Sequence, residues 1–115
     1  MRNDKDNLIV NLTFEFALSI IEFSEELEAS RKYVIAKQIL KAGTSIGANV
    51  REAQNAESKG DFIHKIKIAA KEADEVEYFL LLCKFSKAYP YDPILTEKLT
   101  SIIRILSKNI SSSKG

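Results

Sequence analysis

Apolar residues recur at steps of three and four along most of this chain, and short polar breaks divide the pattern into four segments. Such spacing predicts amphipathic helices, because a period of 3.6 residues places these positions on one face. The predicted helices span residues 7–28, 32–54, 59–86 and 93–110. Four helices with short connections predict an all-α fold, an antiparallel up-down-up-down four-helix bundle, with the whole chain, 1–115, as a single domain.

The first and third helices have more apolar surface than a bundle core requires. The first helix has two adjacent stripes, which are Leu12, Phe16, Ile20, Phe23 and Leu27, and then Val10, Phe14, Ala17 and Ile21. The third has a heptad seam from Phe62 to Cys83 and, on another side, a patch at Ile68, Phe79 and Leu82. A monomer would leave much of this surface in water, so we expect a homo-oligomer.

The stretch KAGTSIGANVREA places Gly43 and Gly47 inside the second helix. A phosphate-binding loop needs its glycines before a helix, with Lys and Ser or Thr after the second glycine, and both conditions fail here. Each mid-helix glycine costs about 1 kcal/mol relative to alanine. Together with Ala36, the two glycines therefore predict close packing against a neighbouring helix.

Polar residues border the core on the other flank of the second helix. Ser45 and Asn49 suit a hydrogen-bonded network with Glu77 of the third helix, which we state as a hypothesis. The alternative is that the serine and asparagine side chains bond back to the preceding turn of their own helix.

Two stretches, ILKAGTSIGANVREA and SKGDFIHKIKIAAKEADEVEYFL, resemble the signature of the small four-helix-bundle proteins of the 23S rRNA intervening-sequence family. The resemblance covers nearly the whole chain. It implies a helical bundle that assembles into rings, with a pentamer as the favoured state, and it carries over no catalytic residue. A related branch of such proteins binds nucleic acid and a reverse transcriptase.

Charge is sorted by helix although the net charge is only +1. Residues 1–30 hold two basic and seven acidic groups, whereas residues 31–71 hold nine basic and three acidic groups. Phosphate contacts from such a basic segment would be sequence-independent and salt-sensitive. The candidate nucleic-acid-binding residues, for RNA or DNA, are Lys37, Lys41, Arg51, Lys59 and Lys65. The same cations also suit a solvated face, the acidic first helix of a neighbouring subunit, or a docked partner protein.

Little in the chain points to catalysis, a cofactor or a metal. The only histidine, His64, follows Asp61 at the spacing where a di-iron bundle needs glutamate, and it falls on a polar side. Cys83 sits at a seam position and is expected to be a buried apolar residue, since a reactive thiol needs an accessible, electropositive setting. We therefore expect a non-enzymatic protein without cofactor or metal.

The chain begins with mixed charges, lacks an apolar run long enough to span a membrane, and has one cysteine. These features predict a cytoplasmic protein without a signal peptide or membrane segment.

Overall fold

The computed structural model describes residues 7–114, which form four helices and no strand. Residues 1–6 and 115 of the predicted domain lie outside the described range. The helices are α1 (Leu8–Ala29), α2 (Tyr33–Ala53), α3 (Lys59–Phe85) and α4 (Pro93–Lys114). The predicted all-helical bundle is confirmed.

The fourth helix is longer than its apolar pattern predicts. It continues through the serines that follow position 110, where we placed its end. The hydroxyls of Ser111 and Ser112 donate to the carbonyls of Lys108 and Asn109, at 3.2 and 3.4 Å. These bonds satisfy the serine hydroxyls within the helix, so the serine run does not end it.

Side-chain caps fix where three of the helices begin. Asn7 Oδ1 accepts a hydrogen bond from Val10 N at 3.3 Å at the start of α1. Asp92 Oδ1 accepts from Ile94 N at 3.0 Å, with Pro93 as the first residue of α4. Both carboxylate and amide oxygens thus satisfy free amides at a helix start.

The cap of α3 differs in detail from the predicted capping box. Ser58 Oγ accepts from Asp61 N at 3.0 Å, as the spacing predicts. Asp61 Oδ2, however, accepts from Glu57 N at 3.3 Å and not from the amide of the cap residue itself. The aspartate side chain is one methylene shorter than the glutamate of a standard box, and it bonds the preceding amide.

Helix α1 lies antiparallel against α2. Thr13 is next to Gly47 and Ile20 is next to Gly43, so the residue numbers rise along one helix as they fall along the other. At the far end, Asn7 Nδ2 donates to Gln54 Oε1 at 2.9 Å.

Contacts across the other pairs complete the up-down arrangement. Lys65 near the start of α3 pairs with Glu52 at the end of α2. Lys98, in the first half of α4, donates to Ser19, in the second half of α1, at 3.2 Å. Since α2 and α4 both run against α1, and α3 runs against α2, the turns α1–α2 and α3–α4 lie at the same end of the bundle.

The predicted stripes form the core. The buried positions on α3 are Ile66, Ala69, Ala73, Val76, Leu80 and Cys83, and those on α4 are Leu95, Leu99, Ile102 and Leu106. On α1 they include Phe16, Ile20, Phe23 and Leu27, and on α2 Ile39, Ile46, Val50 and Ala53. Three predicted core residues at the margins, Leu12, Ile35 and Phe62, are half-buried.

Both turns at the shared end hold a non-glycine residue in the left-handed region. Arg31 and Ala88 each have φ of 62°. At the end of α1, Lys32 N donates to Leu27 O at 2.8 Å and Arg31 N to Glu28 O at 2.9 Å, the bonds of a Schellman motif. Glycine is the residue usually found at this position, because other residues pay about 1–2 kcal/mol there.

At Gly43 a side chain of α1 leaves no room for a β-carbon on α2. A β-carbon added to this buried glycine would lie 2.7 Å from Cγ2 and 2.9 Å from Cγ1 of Ile20. Ile20 is fully buried and β-branched, so its side chain has little freedom to move aside. A side chain at position 43 and an isoleucine at position 20 therefore exclude each other at this helix separation.

At Gly47 the neighbour is backbone. An added β-carbon would lie 3.2 Å from the carbonyl oxygen of Thr13 and 3.4 Å from its hydroxyl oxygen. The Thr13 hydroxyl is already used, since it donates to Ile9 O at 2.8 Å. Ala36, the third small residue of the predicted contact, is buried on the same helix.

Replacing Gly43→Ala is expected to lower the free energy of unfolding by about 1 kcal/mol. Overpacking a core costs about 1–3 kcal/mol, and the helix propensity gained is only about 1 kcal/mol. The matched control is Gly60→Ala in the first turn of α3, where the added carbon meets only Ser58 Oγ at 3.8 Å and propensity alone acts. Denaturant unfolding measures both. Equal stabilisation by the two substitutions would show that α1 does not contact α2 this closely.

Candidate interaction surfaces

One side of α1 presents an apolar surface to solvent. We call Phe14, Ala17, Leu18 and Ile21 the α1 outer stripe; their spacing of i, i+3, i+4 and i+7 places them on one helix face. Phe14, Leu18 and Ile21 are 60%, 49% and 41% exposed. Within residues 7–114, α4 by contrast has one exposed large apolar side chain, Ile94. Folding of the single chain therefore leaves the apolar side chains of the α1 outer stripe partly unburied.

A groove of about 520 Å³ runs between the α1 outer stripe and α2. It is lined by Val10, Asn11, Phe14, Ala17, Thr44, Gly47, Ala48 and Arg51. The α2 wall is shallow because two of its residues, Gly47 and Ala48, have little or no side chain. The glycine that admits α1 to α2 thus also opens this groove.

The predicted basic residues of α2 do not share one environment. Lys37 and Lys41 are exposed one turn apart, and Arg51 lines the groove beside α1. Lys41 is close enough to Glu72 of α3 to lower the pKa of that carboxyl group. Burial, and then the charge of Glu75, outweigh this effect and raise the Glu72 pKa above its usual value.

The two predicted cations of α3 are also separated. Lys65 Nζ lies 3.0 Å from Glu52 Oε1, and this ion pair joins α3 to α2. Lys59 is exposed at the first position of α3. The five candidate cations therefore lie on several sides of α2 and α3, and two of them are near carboxylates.

The hypothesised polar network between α2 and α3 does not form. Ser45 Oγ donates to Lys41 O at 2.7 Å, and Asn49 Nδ2 donates to Ser45 O at 2.9 Å, so both bond back to their own helix. Glu77 is exposed and lines a groove with Tyr91 of the α3–α4 connection. The helical position of Glu77 turns it toward α4, and the pairing with α2 was wrong for that reason.

The exposed apolar surface of α3 lies on a helix face adjacent to the predicted one. Ile68 and Phe79 of the predicted patch are half-buried, and Leu82 is 37% exposed. The side chains left in solvent, at 59%, 48%, 37% and 78%, are Tyr78, Leu81, Leu82 and Phe85. These four again follow the i, i+3, i+4, i+7 spacing of one helix face.

A set of cations and aromatic rings meets at the end of the bundle that holds two turns. Lys32 Nζ lies 4.8 Å from the centroid of the Tyr89 ring, which links the α1–α2 turn to the α3–α4 connection. Lys84 Nζ lies 5.5 Å from the Phe85 centroid and 5.9 Å from that of Tyr91. These are cation–π distances.

Sequence reasoning missed this end because the residues come from two separate turns. The signal is present in the segments RKY at 31–33 and KFSKAYPYD at 84–92, where basic and aromatic residues alternate. Only the antiparallel pairing of the helices places the two segments together.

The side chains that could act as a nucleophile, a general base or a metal ligand do not form a cluster within residues 7–114. Cys83 is buried, and burial raises the pKa of its thiol, which keeps it protonated and unreactive at neutral pH. His64 is exposed on α3. In the described part of the chain, no three histidine, cysteine or acidic side chains are grouped closely enough to hold a metal ion. None of the helices within residues 7–114 has both the length and the apolar composition needed to cross a membrane.

The coupling of Lys41 to Glu72 is directly measurable. In Lys41→Gln we expect the pKa of the Glu72 carboxyl to rise further, because a neighbouring positive charge that favours the carboxylate is lost. Lys37→Gln is the matched control and should leave that pKa unchanged. Carboxyl chemical shifts followed by NMR during a pH titration report both.

The raised pKa of Glu72 also makes the free energy of unfolding depend on pH. The Glu72 pKa is higher in the folded protein than in the unfolded chain, so the carboxylate opposes folding at neutral pH. This cost is full above the folded pKa, shrinks as the pH falls through it and is gone below the lower, unfolded pKa; it should be larger in Lys41→Gln. An unchanged Glu72 pKa in that variant would mean that Lys41 does not act on α3.

A family model described as 23S rRNA-intervening sequence protein matches residues 5–111. The chain is also similar to a crystal structure from Bacteroides thetaiotaomicron, described as a protein with unknown function from the S23 ribosomal protein family. The two sequences are 40% identical, the TM-score is 0.86, and the match covers 93% of this chain and 98% of the other. No curated protein matches the sequence. Since the family model spans nearly the whole chain and the fold agrees, this protein belongs to the 23S rRNA-intervening sequence protein family.

Proposed function

We propose that the protein is a non-enzymatic, cytoplasmic helical-bundle module that works as a homo-oligomer. The observation that carries this proposal is the α1 outer stripe, in which Phe14, Leu18 and Ile21 each leave 41–60% of their surface in water. Burial of apolar area is the main favourable term in association, at about 25 cal/mol per Å². A second copy that covers the stripe removes this exposed surface.

The shape of the surface supports a direct helix-mediated contact. The outer stripe borders the groove between α1 and α2, so a bound helix would contact Phe14 on one side and Thr44 or Ala48 on the other. The exposed Leu81 and Leu82 of α3 form a second apolar surface elsewhere on the chain. Two different surfaces suit a head-to-tail contact, which closes into a ring when the rotation permits. The family resemblance favours five subunits.

Self-association is expected to depend on the α1 outer stripe. The double substitution Phe14→Ser with Leu18→Ser removes apolar area that is already exposed, so the fold should survive while the oligomer dissociates. Ile94→Ser, at 56% exposure on α4, is the matched control and should leave the oligomer intact. Size-exclusion chromatography with light scattering at micromolar concentration gives the mass, and circular dichroism checks the fold.

Two results would contradict the proposal. One is a monomeric mass for the wild-type chain under these conditions. The other is an unchanged oligomer in the folded double variant.

We also propose that nucleic acid is bound through the basic residues of α2 and the start of α3, namely Lys37, Lys41, Arg51, Lys59 and Lys65. The favouring observation is that Lys37 and Lys41 are exposed one turn apart, and a ring of subunits would repeat this pair around its surface. The alternative is a protein-only scaffold that docks a partner protein.

Charge reversal separates these two candidates. Lys37→Glu with Lys41→Glu should weaken binding of labelled RNA or DNA at low salt and leave the oligomer intact, because phosphate contacts depend on positive charge. Lys108→Glu, at an exposed position of α4, is the control. Wild-type protein that assembles but binds no nucleic acid at low salt would favour the scaffold. Dissociation of the charge-reversed variant would place these lysines in the subunit contact instead.

A further inference from the structure

Two segments bring four cations to the end of the bundle that holds both the α1–α2 and α3–α4 turns. Arg31 and Lys32 lie in the first turn, and Lys84 and Lys87 lie at the end of α3 and just after it. The ring contact of Lys32 with Tyr89, at 4.8 Å, shows that the two segments are adjacent. We call these four cations with Tyr33, Phe85, Tyr89 and Tyr91 the basic–aromatic end.

The acidic side chains near this end cap a helix or lie on the α1 and α4 side of the bundle. The Asp92 carboxylate caps α4 by accepting from Ile94 N. Asp92 also lines, with Glu22 and Glu26, a separate groove between α1 and α4. Glu25 and Glu28, near the end of α1, are exposed and offset part of the charge of the cations on the α1 side. The part of the end formed by α2, α3 and their turns is left with an excess of positive charge.

Two aromatic side chains at this end have no role in the core. Phe85, the last residue of α3, is 78% exposed, and Tyr33, the first residue of α2, is 61% exposed. A phenylalanine this exposed gains nothing from folding the single chain, since its area stays in water. Tyr89 and Tyr91 are half-buried against the core, and each has a lysine ammonium over its ring.

The backbone supports a role for this end beyond connecting helices. Both turns keep a residue with a side chain, Arg31 and Ala88, at a φ of 62° where glycine would be relaxed. At position 31 the strained residue is one of the four cations. Strain of this kind is often found where a side chain is retained for binding.

We propose that the basic–aromatic end binds single-stranded nucleic acid, with bases stacked on Phe85 and Tyr33 and phosphates contacted by Arg31, Lys32, Lys84 and Lys87. Sites for single strands combine aromatic platforms with cations that follow the backbone, because every base has a π-face and every linkage a charge. Here cations and rings alternate, rather than separating into an apolar face and a charged rim as a membrane surface would require. A duplex would hide the base faces that the two exposed rings can contact.

This site adjoins the α2 surface, since Tyr33 lies one turn before Lys37, and it rests on the proposed function only in that the tested protein is the intact oligomer. The probe is a fluorescently labelled oligothymidylate of about 12 nucleotides, within the usual site size for single strands. Its anisotropy is measured with the full chain at low salt and then at increasing salt. Tight binding at low salt that weakens with salt is expected.

Single substitutions test the two parts of the site. Phe85→Ala and Tyr33→Ala should each weaken binding by about 5-fold or more, the loss expected when a stacked base loses its platform. Lys84→Gln with Lys87→Gln should weaken binding and make the slope of log affinity against log salt shallower by about 0.7 per lost contact. The controls are Leu8→Ala, an exposed apolar side chain at the start of α1 and so at the opposite end of the bundle, and Lys108→Gln near the opposite end of α4. Both should bind as the wild type does.

The mass of every variant is also measured, so that loss of oligonucleotide binding can be distinguished from loss of the oligomer. Loss of oligonucleotide binding with the oligomer intact supports the site. Wild-type protein that does not bind the oligonucleotide, or ring variants that bind it unchanged, would overturn it. Binding lost only in the Lys37 and Lys41 variant would assign nucleic acid to α2 and reject this site.

Two further outcomes also reject it. If Phe85→Ala dissociates the oligomer, then Phe85 belongs to a subunit contact. If the end variants lose binding to phosphatidylserine vesicles, and the wild type binds vesicles but not the oligonucleotide, then the end contacts a membrane.

Discussion

The arrangement of the bundle depends on the contact between α1 and α2 at Gly43. Because residue 43 has no side chain, Ile20 can pack directly against the α2 backbone. A β-carbon added at residue 43 would lie only 2.7 Å from Cγ2 of Ile20. Close-packed interiors leave no slack for an extra carbon, so this one contact fixes both the separation and the register of the two helices. The contact of Gly47 with the Thr13 backbone continues it by one turn.

The rest of the surface follows from this contact. Because α1 meets α2 through its Thr13 and Ile20 side, the adjacent side of α1 with Phe14, Leu18 and Ile21 is turned outward beside the groove. The helix that contacts both glycines of α2 thus also carries an apolar surface for another subunit. The antiparallel register set by α1 and α2 likewise places two turns at one end and so assembles the basic–aromatic end.

The sequence predicts the helices and the core well because period and caps are local properties. Leu95, Leu99, Ile102 and Leu106 are buried as their 4-3-4 steps predict. The two glycines were also informative, because helix propensity gives a clear cost that packing must offset. Helix ends were less predictable, as the serine run at the end of α4 shows.

The candidate sites were predicted less well because they depend on which neighbour each side chain meets. The sequence identifies Lys65 as basic but not that Glu52 lies 3.0 Å from it. Glu77 was assigned to the wrong neighbour since a small error in helix rotation exchanges α2 for α4. Lys32 and Tyr89 are far apart in sequence, and only tertiary structure brings them together.

The most direct test of the central contact is a double-mutant cycle between Gly43→Ala and Ile20→Ala, read by denaturant unfolding. Truncating Ile20 removes the carbons that meet the added methyl group, so the double variant should be more stable than the sum of the two single losses predicts, by about 1 kcal/mol or more. Strictly additive losses would show that residues 20 and 43 do not touch, and would contradict the packing on which the arrangement of the other surfaces rests.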